Sequence, residues 1–203
     1  MKKIIMTIGG GPRKDGYSAK MIKCFTKALR DFSVEHLVQI RHYDAFDCAF
    51  APCTDCRVCC ELEGCVNHDM DKFFHDFETA DAIVIATPVY NMSFPAPLKA
   101  IIDRMQRYYN ARFSMGKRPP IAKHRPVALL ASAGSSGEDG EIMVKQLKRV
   151  FTVTNCELLS STVCKGTDTS CIDDFPEQPI KDMIYQSAHD VLDSINIGIT
   201  KLS

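Results

Sequence analysis

The sequence lacks an excess of either charge, because its 203 residues hold 25 lysines and arginines against 25 aspartates and glutamates. A neutral chain has no general electrostatic attraction to nucleic acid or to a membrane surface, so neither partner is expected. It also lacks any apolar run near the ~20 residues that a membrane-spanning helix requires. The apolar run at residues 4–8 is too short for a secretory signal. We therefore expect a cytoplasmic protein in a reducing compartment.

This chain has ten cysteines. Disulfide bonds are rare in a reducing compartment, so these cysteines are not expected to form a disulfide framework. We expect the cysteines to be metal ligands, redox groups or small buried hydrophobic residues. The chain length suits one domain with a sizeable core. The sequence therefore predicts a single domain over 1–203, with a cysteine-rich loop at 48–68.

Short apolar runs alternate with amphipathic helical patterns along the chain. Strands that are apolar throughout and that alternate with helices are typical of a parallel sheet covered on both faces. In such α/β sheets, ligands bind beyond the carboxyl ends of the strands. The predicted strands lie at 2–8, 34–40, 82–86, 127–132 and 156–163, and the loops expected to meet a ligand are 9–16, 87–94 and 133–139.

The first of these loops, GGGPRKDGYSAK at 9–20, follows a strand and opens a helix. Its spacing matches neither the dinucleotide fingerprint nor the P-loop. A helix start still presents unpaired N–H groups, which suit a phosphate, and Arg13 and Ser18 add donors. The competing interpretation is a tight turn that uses glycine for conformation alone.

The second loop begins TPVYN at 87–91. Pro88 stiffens the backbone, and the Tyr90 ring can lie beside a planar ligand. Asn91 and the amides after it can hydrogen-bond ring nitrogens and carbonyls. The competing interpretation is an exposed turn whose tyrosine packs on the surface.

Three stretches together resemble the flavodoxin-like NAD(P)H-dependent FMN reductases, and more closely their iron–sulfur flavoprotein branch. They are GGGPRKDGYSAK at 9–20, CTDCRVCCELEGC at 53–65 with Asp69-Met70 after it, and TPVYNMSFPAPLKAIIDR at 87–104. The resemblance covers most of residues 2–135. It implies a doubly wound, five-stranded parallel sheet in the order 2-1-3-4-5, with helices on both faces and FMN as the cofactor.

The resemblance also implies which residues hold the flavin. The first loop would surround the phosphate, the TPVY loop would line the isoalloxazine ring, and the 133–137 loop would complete the pocket. The residues are Gly10, Gly11, Arg13, Gly16, Tyr17, Ser18 and Ala19; Pro88, Val89, Tyr90, Asn91 and Met92; and Ala133, Gly134, Ser135 and Gly137.

Two positions depart from the family pattern. Members usually carry serine where Gly11 stands and asparagine where Tyr17 stands. The first change removes a hydroxyl donor to phosphate, and the second replaces a small amide with a bulky ring. We expect either weaker FMN binding or a rearranged phosphate site.

Five cysteines crowd into the thirteen residues 53–65. Two successive two-residue gaps bring three thiolates close together in a short loop, and a fourth follows the turn at Gly64. Four thiolates suit a [4Fe–4S] cluster. The predicted ligands are Cys53, Cys56, Cys59 and Cys65, and the spacing leaves open whether Cys60 replaces Cys59.

Two other interpretations of these thiols remain open. A structural zinc prefers two separated cysteine pairs, and a redox-active dithiol needs one CxxC pair. The other cysteines show no comparable mutual spacing, and most of them are expected to be small buried hydrophobic residues.

The sequence shows no Ser-His-acid arrangement and no paired carboxylates, so no catalytic side chain is predicted and the cofactors would carry the reaction. The main hypothesis is an oxidoreductase that passes electrons between ferredoxin or NAD(P)H and a small-molecule or protein acceptor, through the cluster and FMN. The resemblance implies a homodimer or homotetramer. The alternatives are a cluster-free NAD(P)H-dependent FMN or quinone reductase and a zinc-stabilised flavodoxin-like binding module.

Overall fold

The five strands form one parallel sheet in the order β2-β1-β3-β4-β5, which confirms the predicted doubly wound architecture. The computed structural model describes residues 2–33, 37–135, 138–169, 171–173 and 175–197. The strands are β1 (Lys3–Gly9), β2 (Val38–Asp44), β3 (Ala82–Pro88), β4 (Arg125–Ser132) and β5 (Cys156–Cys164).

Helices cover both faces of this sheet. Two short 3₁₀ turns, Val58–Cys60 and His68–Met70, lie in the long connection between β2 and the second helix. Among the described residues, no helix is long and apolar enough to cross a membrane. The helices are α1 (Tyr17–Phe32), α2 (Asp71–Thr79), α3 (Ala96–Arg104), α4 (Gln106–Phe113), α5 (Asp139–Val153) and α6 (Gln178–Ser194).

The central strands have no solvent-facing side. Along β3, Ile83 and Ile85 belong to the core beneath α2 to α5, whereas Val84 and Ala86 belong to the core beneath α1 and α6. Successive side chains of a strand point to opposite faces, so a strand covered on both sides must be apolar throughout. Contacts with a ligand are therefore expected from the loops at the carboxyl ends of the strands.

Two element boundaries differ from the sequence-based prediction. The second strand was expected at 34–40 and instead spans Val38–Asp44, while residues 34–36 lie outside the described part of the chain. β2 is an edge strand with mixed burial, so its polar residues hid its true extent from a search for apolar runs.

The helix after the TPVY loop is also divided in two. The Met105 N–H donates to Ile102 O at 3.1 Å and the Tyr108 N–H donates to Met105 O at 2.9 Å, which are three-residue spacings. Such 3₁₀ bonds tighten the chain and end α3 at Arg104, after which α4 begins at Gln106. The apolar spacing of Leu98, Ile101, Ile102 and Met105 predicts one continuous helix ending near Tyr108, so this division differs from the sequence-based expectation.

A buried carboxylate ties α2 to the edge strand. Asp76 is 4% exposed; it pairs with Arg41, accepts a hydrogen bond from Tyr43 Oη at 2.5 Å and pairs with Lys72 Nζ at 2.8 Å. Burial raises the pKa of Asp76, but the hydrogen bonds from Lys72 and Tyr43 and the charge of Arg41 outweigh it and lower the pKa below its ordinary value. A lowered pKa contributes stability above the unfolded-state value that is lost as pH falls.

We expect Asp76→Asn to lower the free energy of unfolding by about 1–3 kcal/mol at pH 7, because it removes the anion from these hydrogen bonds. The difference in unfolding free energy between wild type and variant should narrow below about pH 4, because the unfolded wild-type chain there binds a proton at Asp76 that the native carboxylate, with its lowered pKa, still resists. Urea unfolding at pH 7 and pH 3 measures both values. The exposed Asp15→Asn is the control, and an equal gap for Asp76→Asn at both pH values would contradict this assignment.

Candidate functional site

A cavity of about 310 Å³ lies at the carboxyl edge of the sheet, where the loops after β1, β3, β4 and β5 meet. Its volume is typical of small-molecule sites. It is lined by Gly11, Pro12, Arg13, Gly16, Tyr17, Ser18, Pro88, Val89, Tyr90, Ser132, Ala133, Gly134, Ser135, Thr167 and Asp168.

Backbone hydrogen bonds join these loops. The Gly10 N–H donates to Ala86 O at 2.7 Å, and the Val89 N–H donates to Ser132 O at 2.8 Å. The Thr167 N–H donates to Ala133 O at 3.0 Å. Each loop is thus held to its neighbour along the sheet edge, so the cavity shape is set by main-chain bonds rather than by side chains alone.

Most of the residues predicted for the flavin line this one cavity. Gly10, Ala19, Asn91 and Met92 do not belong to its lining, and Gly137 lies outside the described residues. Gly10 packs on Thr87 and Leu98, whereas Ala19 faces a separate groove between α1 and β2. Asn91 and Met92 have φ values of 50° and 59° in the turn that pairs Tyr90 with Ser93, and both are exposed.

The glycine-rich loop forms the end of the cavity best suited to an anion. Helix α1 begins at Tyr17 with Gly16 as its N-cap, and no side chain caps the first turn. A methyl group added to Gly11 would collide with Ser18 Oγ, so the backbone there is open only because the residue is glycine. Arg13 lines the same end. The N–H groups of a helix start, a hydroxyl and a guanidinium are donors that suit a phosphate.

Tyr17 is accommodated by packing rather than by projecting into solvent. Its ring is 7% exposed and meets the Phe175 ring edge-on, with the two centroids 4.8 Å apart. Burial raises the pKa of Tyr17, so the ring carries a neutral hydroxyl at the cavity wall. The bulky residue therefore fits at this position because Phe175 receives its edge.

Sequence reasoning missed Thr167 and Asp168, which follow β5 and complete the cavity. The Asp168 carboxylate packs directly against Gly134. The rule that ligands bind at the carboxyl ends of parallel strands applied equally to the fifth strand and could have found this loop.

The cysteine loop encloses a second, smaller cavity of about 40 Å³. Cys53, Cys56, Cys59 and Cys65 all line it, whereas Cys60 is not among its lining residues. All ten cysteines are free thiols. Within the described residues, no three histidine, cysteine, aspartate or glutamate side chains converge closely enough to hold a metal ion. The four thiols thus share one cavity without meeting at one point.

Three residues in left-handed backbone conformations turn this loop. Asp55, Arg57 and Gly64 have φ values of 50°, 65° and 105°. Arg57 precedes the Val58–Cys60 turn, which packs against α4. These reversals direct thiols from both halves of the loop toward the same cavity.

The base of the cysteine loop is closed by Arg104, the last residue of α3. Its Nη1 donates to Ala51 O at 2.9 Å, and its Nη2 donates to Asn67 O at 2.6 Å and pairs with Asp69 Oδ1 at 2.9 Å. The other Asp69 oxygen accepts the Ala51 N–H at 2.7 Å. We call these four residues the clasp, because they join the two ends of the loop.

The clasp leaves one buried donor unused. Arg104 is 3% exposed and lines the thiol cavity, and its Nε has no hydrogen-bond partner in the described structure. Burial lowers the pKa of Arg104, but the Asp69 carboxylate and the nearby Cys65 sulfur outweigh it and raise the pKa. An unsatisfied buried donor costs about 1–3 kcal/mol, and sulfur acceptors in the cavity would remove that cost.

Two further nitrogen-bearing side chains face the loop from α4. The Asn110 Nδ2 donates to Cys59 Sγ at 3.1 Å. Arg107 lines the cavity while its guanidinium stacks on Phe74, 4.6 Å from the ring centroid. Four thiols facing fixed cations and N–H donors suit an anionic iron–sulfur centre, because hydrogen bonds to sulfur are part of how proteins hold one.

Comparison with known proteins identifies a family. The sequence pattern described as NADPH-dependent FMN reductase matches residues 4–168. An iron-sulfur flavoprotein of Methanosarcina thermophila is 29% identical over 145 residues, covering 70% of each chain. An iron-sulfur flavoprotein of Archaeoglobus fulgidus is 34% identical over 126 residues, which cover 62% of this chain and only 52% of that protein.

Other similar proteins have names that mention no iron–sulfur centre. An FMN-dependent NADH:quinone oxidoreductase of Gluconobacter oxydans is 33% identical over 103 residues, covering 47% of this chain and 51% of that one. The crystal structure of azoreductase AzrA superposes with a TM-score of 0.65 at 15% identity, covering 94% of this chain and 99% of that one. At that identity the structural likeness shows the fold alone.

We expect Arg104→Met to open the base of the cysteine loop, because methionine keeps much of the volume and loses every clasp hydrogen bond. Amide hydrogen exchange in metal-free protein should speed up at least tenfold across 51–67, starting with the Ala51 N–H. Arg104→Lys should give an intermediate rate. Arg30→Met, on the exposed face of α1, is the control. Unchanged protection in Arg104→Met would show that the clasp does not hold the loop.

Proposed function

The chain belongs to the NADPH-dependent FMN reductase family, and from that premise we propose an FMN-dependent oxidoreductase that also carries a [4Fe–4S] cluster. Electrons would pass between ferredoxin or NAD(P)H and an acceptor. The observation that carries the proposal is that four thiols of one short loop line the same cavity. Nitrogen donors from α3 and α4 line that cavity as well.

The FMN site is assigned to the cavity at the carboxyl edge. The Gly11 to Ser18 loop would take the phosphate through backbone N–H groups, Ser18 Oγ and Arg13. Val89 and Tyr90 would lie against the isoalloxazine ring, because both line the cavity just after β3. The Val89 N–H is bonded to Ser132 of β4, and Tyr90 is held in its turn by Ser93. Asp168 is the one carboxylate among the described lining residues, and its oxygens are acceptors suited to ribityl hydroxyls.

Bound FMN supplies exchange of one or two electrons, and a bound cluster supplies exchange of one. The side chains of this protein would hold and orient the bound groups and shield them from water. Pro88 stiffens the ring loop, and the mutual hydrogen bonds between Tyr90 and Ser93 at 2.9 Å keep the turn closed. Helix α3 starts beyond this turn and ends at Arg104, so one element about 13 Å long connects the flavin loop to the clasp.

The thiol cavity favours a cluster over a single zinc ion. A zinc site brings four ligands within about 2.3 Å of one point, whereas the described thiols surround a shared space without converging. A larger centre bridges such thiols through several atoms. Cys59 is assigned as the third ligand because it lines the cavity and receives the Asn110 N–H, and Cys60 does neither.

A cluster-free NAD(P)H-dependent quinone reductase is the second candidate function. It is favoured by the NADH:quinone oxidoreductase relative. In that case the flavin cavity would act alone, and the thiols would remain free. Assembly as a homodimer or homotetramer is proposed for either candidate on the family resemblance. A cytoplasmic location stays the proposal made from the sequence composition.

We expect Arg13→Met to raise the dissociation constant of FMN about tenfold, equivalent to about 1.4 kcal/mol, because the phosphate loses a cationic donor. Riboflavin, which has no phosphate, should bind both proteins within about twofold. Fluorescence quenching titrations of the two flavins measure this difference. Lys14→Met is the matched control, because Lys14 lies in the same loop and pairs with Asp44 outside the cavity. Equal weakening for both flavins would place the phosphate elsewhere.

The ligand assignment is tested by single cysteine variants purified and reconstituted without oxygen. We expect Cys59→Ala to retain less than about a quarter of wild-type iron, since a cubane needs all four thiolates. Cys60→Ala, its neighbour outside the cavity, should keep wild-type iron and the same visible spectrum. Iron loss in Cys60→Ala with iron retained in Cys59→Ala would reverse the assignment, and no iron in the wild type would favour the cluster-free function.

A further inference from the structure

The thiol cavity has one wall made of nitrogen donors. Arg104, Arg107 and Asn110 follow one another at three-residue intervals across the α3–α4 break, and all three line the cavity. We call them the donor wall. The break at Met105 matters here, because both helices contribute to a wall that neither provides alone.

Asn110 makes the most specific contact of the three. It is 7% exposed, and its Nδ2 lies 3.1 Å from Cys59 Sγ. The backbone carbonyl of Asn110 accepts the Ser114 N–H at 2.8 Å and the Met115 N–H at 3.1 Å, and these bonds fix the main chain at this position. Burial and the contact with Cys59 position the side-chain amide in the metal-free chain.

The two arginines are also fixed in place. Arg104 is held by the clasp, with its unpaired Nε buried beside the cavity. Arg107 packs beside two rings, 4.6 Å from the Phe74 centroid and 5.3 Å from the Tyr108 centroid, and its Nη2 lies 3.9 Å from a Glu78 carboxylate oxygen. Charges fixed in a partly buried site interact more strongly than mobile surface charges, because solvent screens them less.

One-electron reduction of a thiolate-bound centre adds one negative charge and no proton. Donors and cations that are already in position stabilise the more negative state, and hydrogen bonds to the sulfurs are a main determinant of the potential. Asn110 gives such a bond to a ligand sulfur, while Cys60, one residue away, lies outside the cavity.

We propose that the donor wall, led by the Asn110 amide on Cys59, raises the reduction potential of the iron–sulfur centre. The inference rests on the proposed function, because it needs the four thiols to hold that centre. Asn110 is a positioning residue: it acts on the ligand sulfur and does not itself bond to iron. Its effect is to make the centre a better electron acceptor from the reduced flavin.

The test is a spectroelectrochemical titration of the reconstituted full chain, with dithionite as reductant, comparing wild type with Asn110→Leu. Leucine has a similar size and no donor. We expect the equilibrium constant for reduction to fall about tenfold, which for a one-electron couple is 59 mV toward more negative potential. Gln39→Leu is the matched control, because Gln39 is an exposed side-chain amide on β2, outside the cavity, and its loss should change the constant less than about twofold.

Asn110→Asp keeps the side-chain shape, removes the donor and adds a negative charge, so it should lower the potential at least as far as Asn110→Leu. Iron retained with an unchanged potential in both variants overturns the inference and leaves the proposed function standing. Loss of iron from both variants, with a loaded wild type, also overturns it, because Asn110 would then be needed for assembly. A wild type that takes up no iron removes the proposed function itself.

Discussion

The arginine at the end of α3 is the constraint on which the thiol site depends. Between β2 and α2 the cysteine loop forms only two short 3₁₀ turns, so its position depends on contacts with the scaffold. Arg104 does this by donating to carbonyls on both sides of the loop and by pairing with Asp69. A buried guanidinium without these partners would be strongly destabilising, so the loop and the helix end fix each other.

The same helix begins just beyond the TPVY loop that is proposed to hold the flavin, so one scaffold carries both cavities. The covered sheet supplies rigidity, and its carboxyl edge presents small residues, backbone N–H groups and a tyrosine to the first cavity. The cysteine loop leaves the same edge after β2 and is fixed against α4. Two sites with different chemistry can therefore be built on one scaffold, because each uses loops that the core does not need.

Much of this could be predicted from the sequence, because the informative signals were local. Apolar runs located every strand except β2, and the loops predicted after β1, β3 and β4, with the family resemblance, supplied most of the lining of the first cavity. The donor wall and the clasp could not be found from local patterns, because their contacts are long-range. Arg104 contacts Ala51 at a sequence separation of 53 residues, and Asn110 contacts Cys59 at a separation of 51. Cysteine spacing also left Cys59 and Cys60 equivalent, since only the turn at Val58–Cys60 decides which thiol faces the cavity.

Iron, sulfide and flavin content is the most direct test of the two proposed sites. Full-length chain purified without oxygen should contain about four irons, about four acid-labile sulfides and one FMN per polypeptide, with a visible spectrum that bleaches on reduction. Bound FMN with no iron after anaerobic reconstitution would contradict the thiol site and leave a simple flavin reductase. Neither iron nor flavin would contradict both sites.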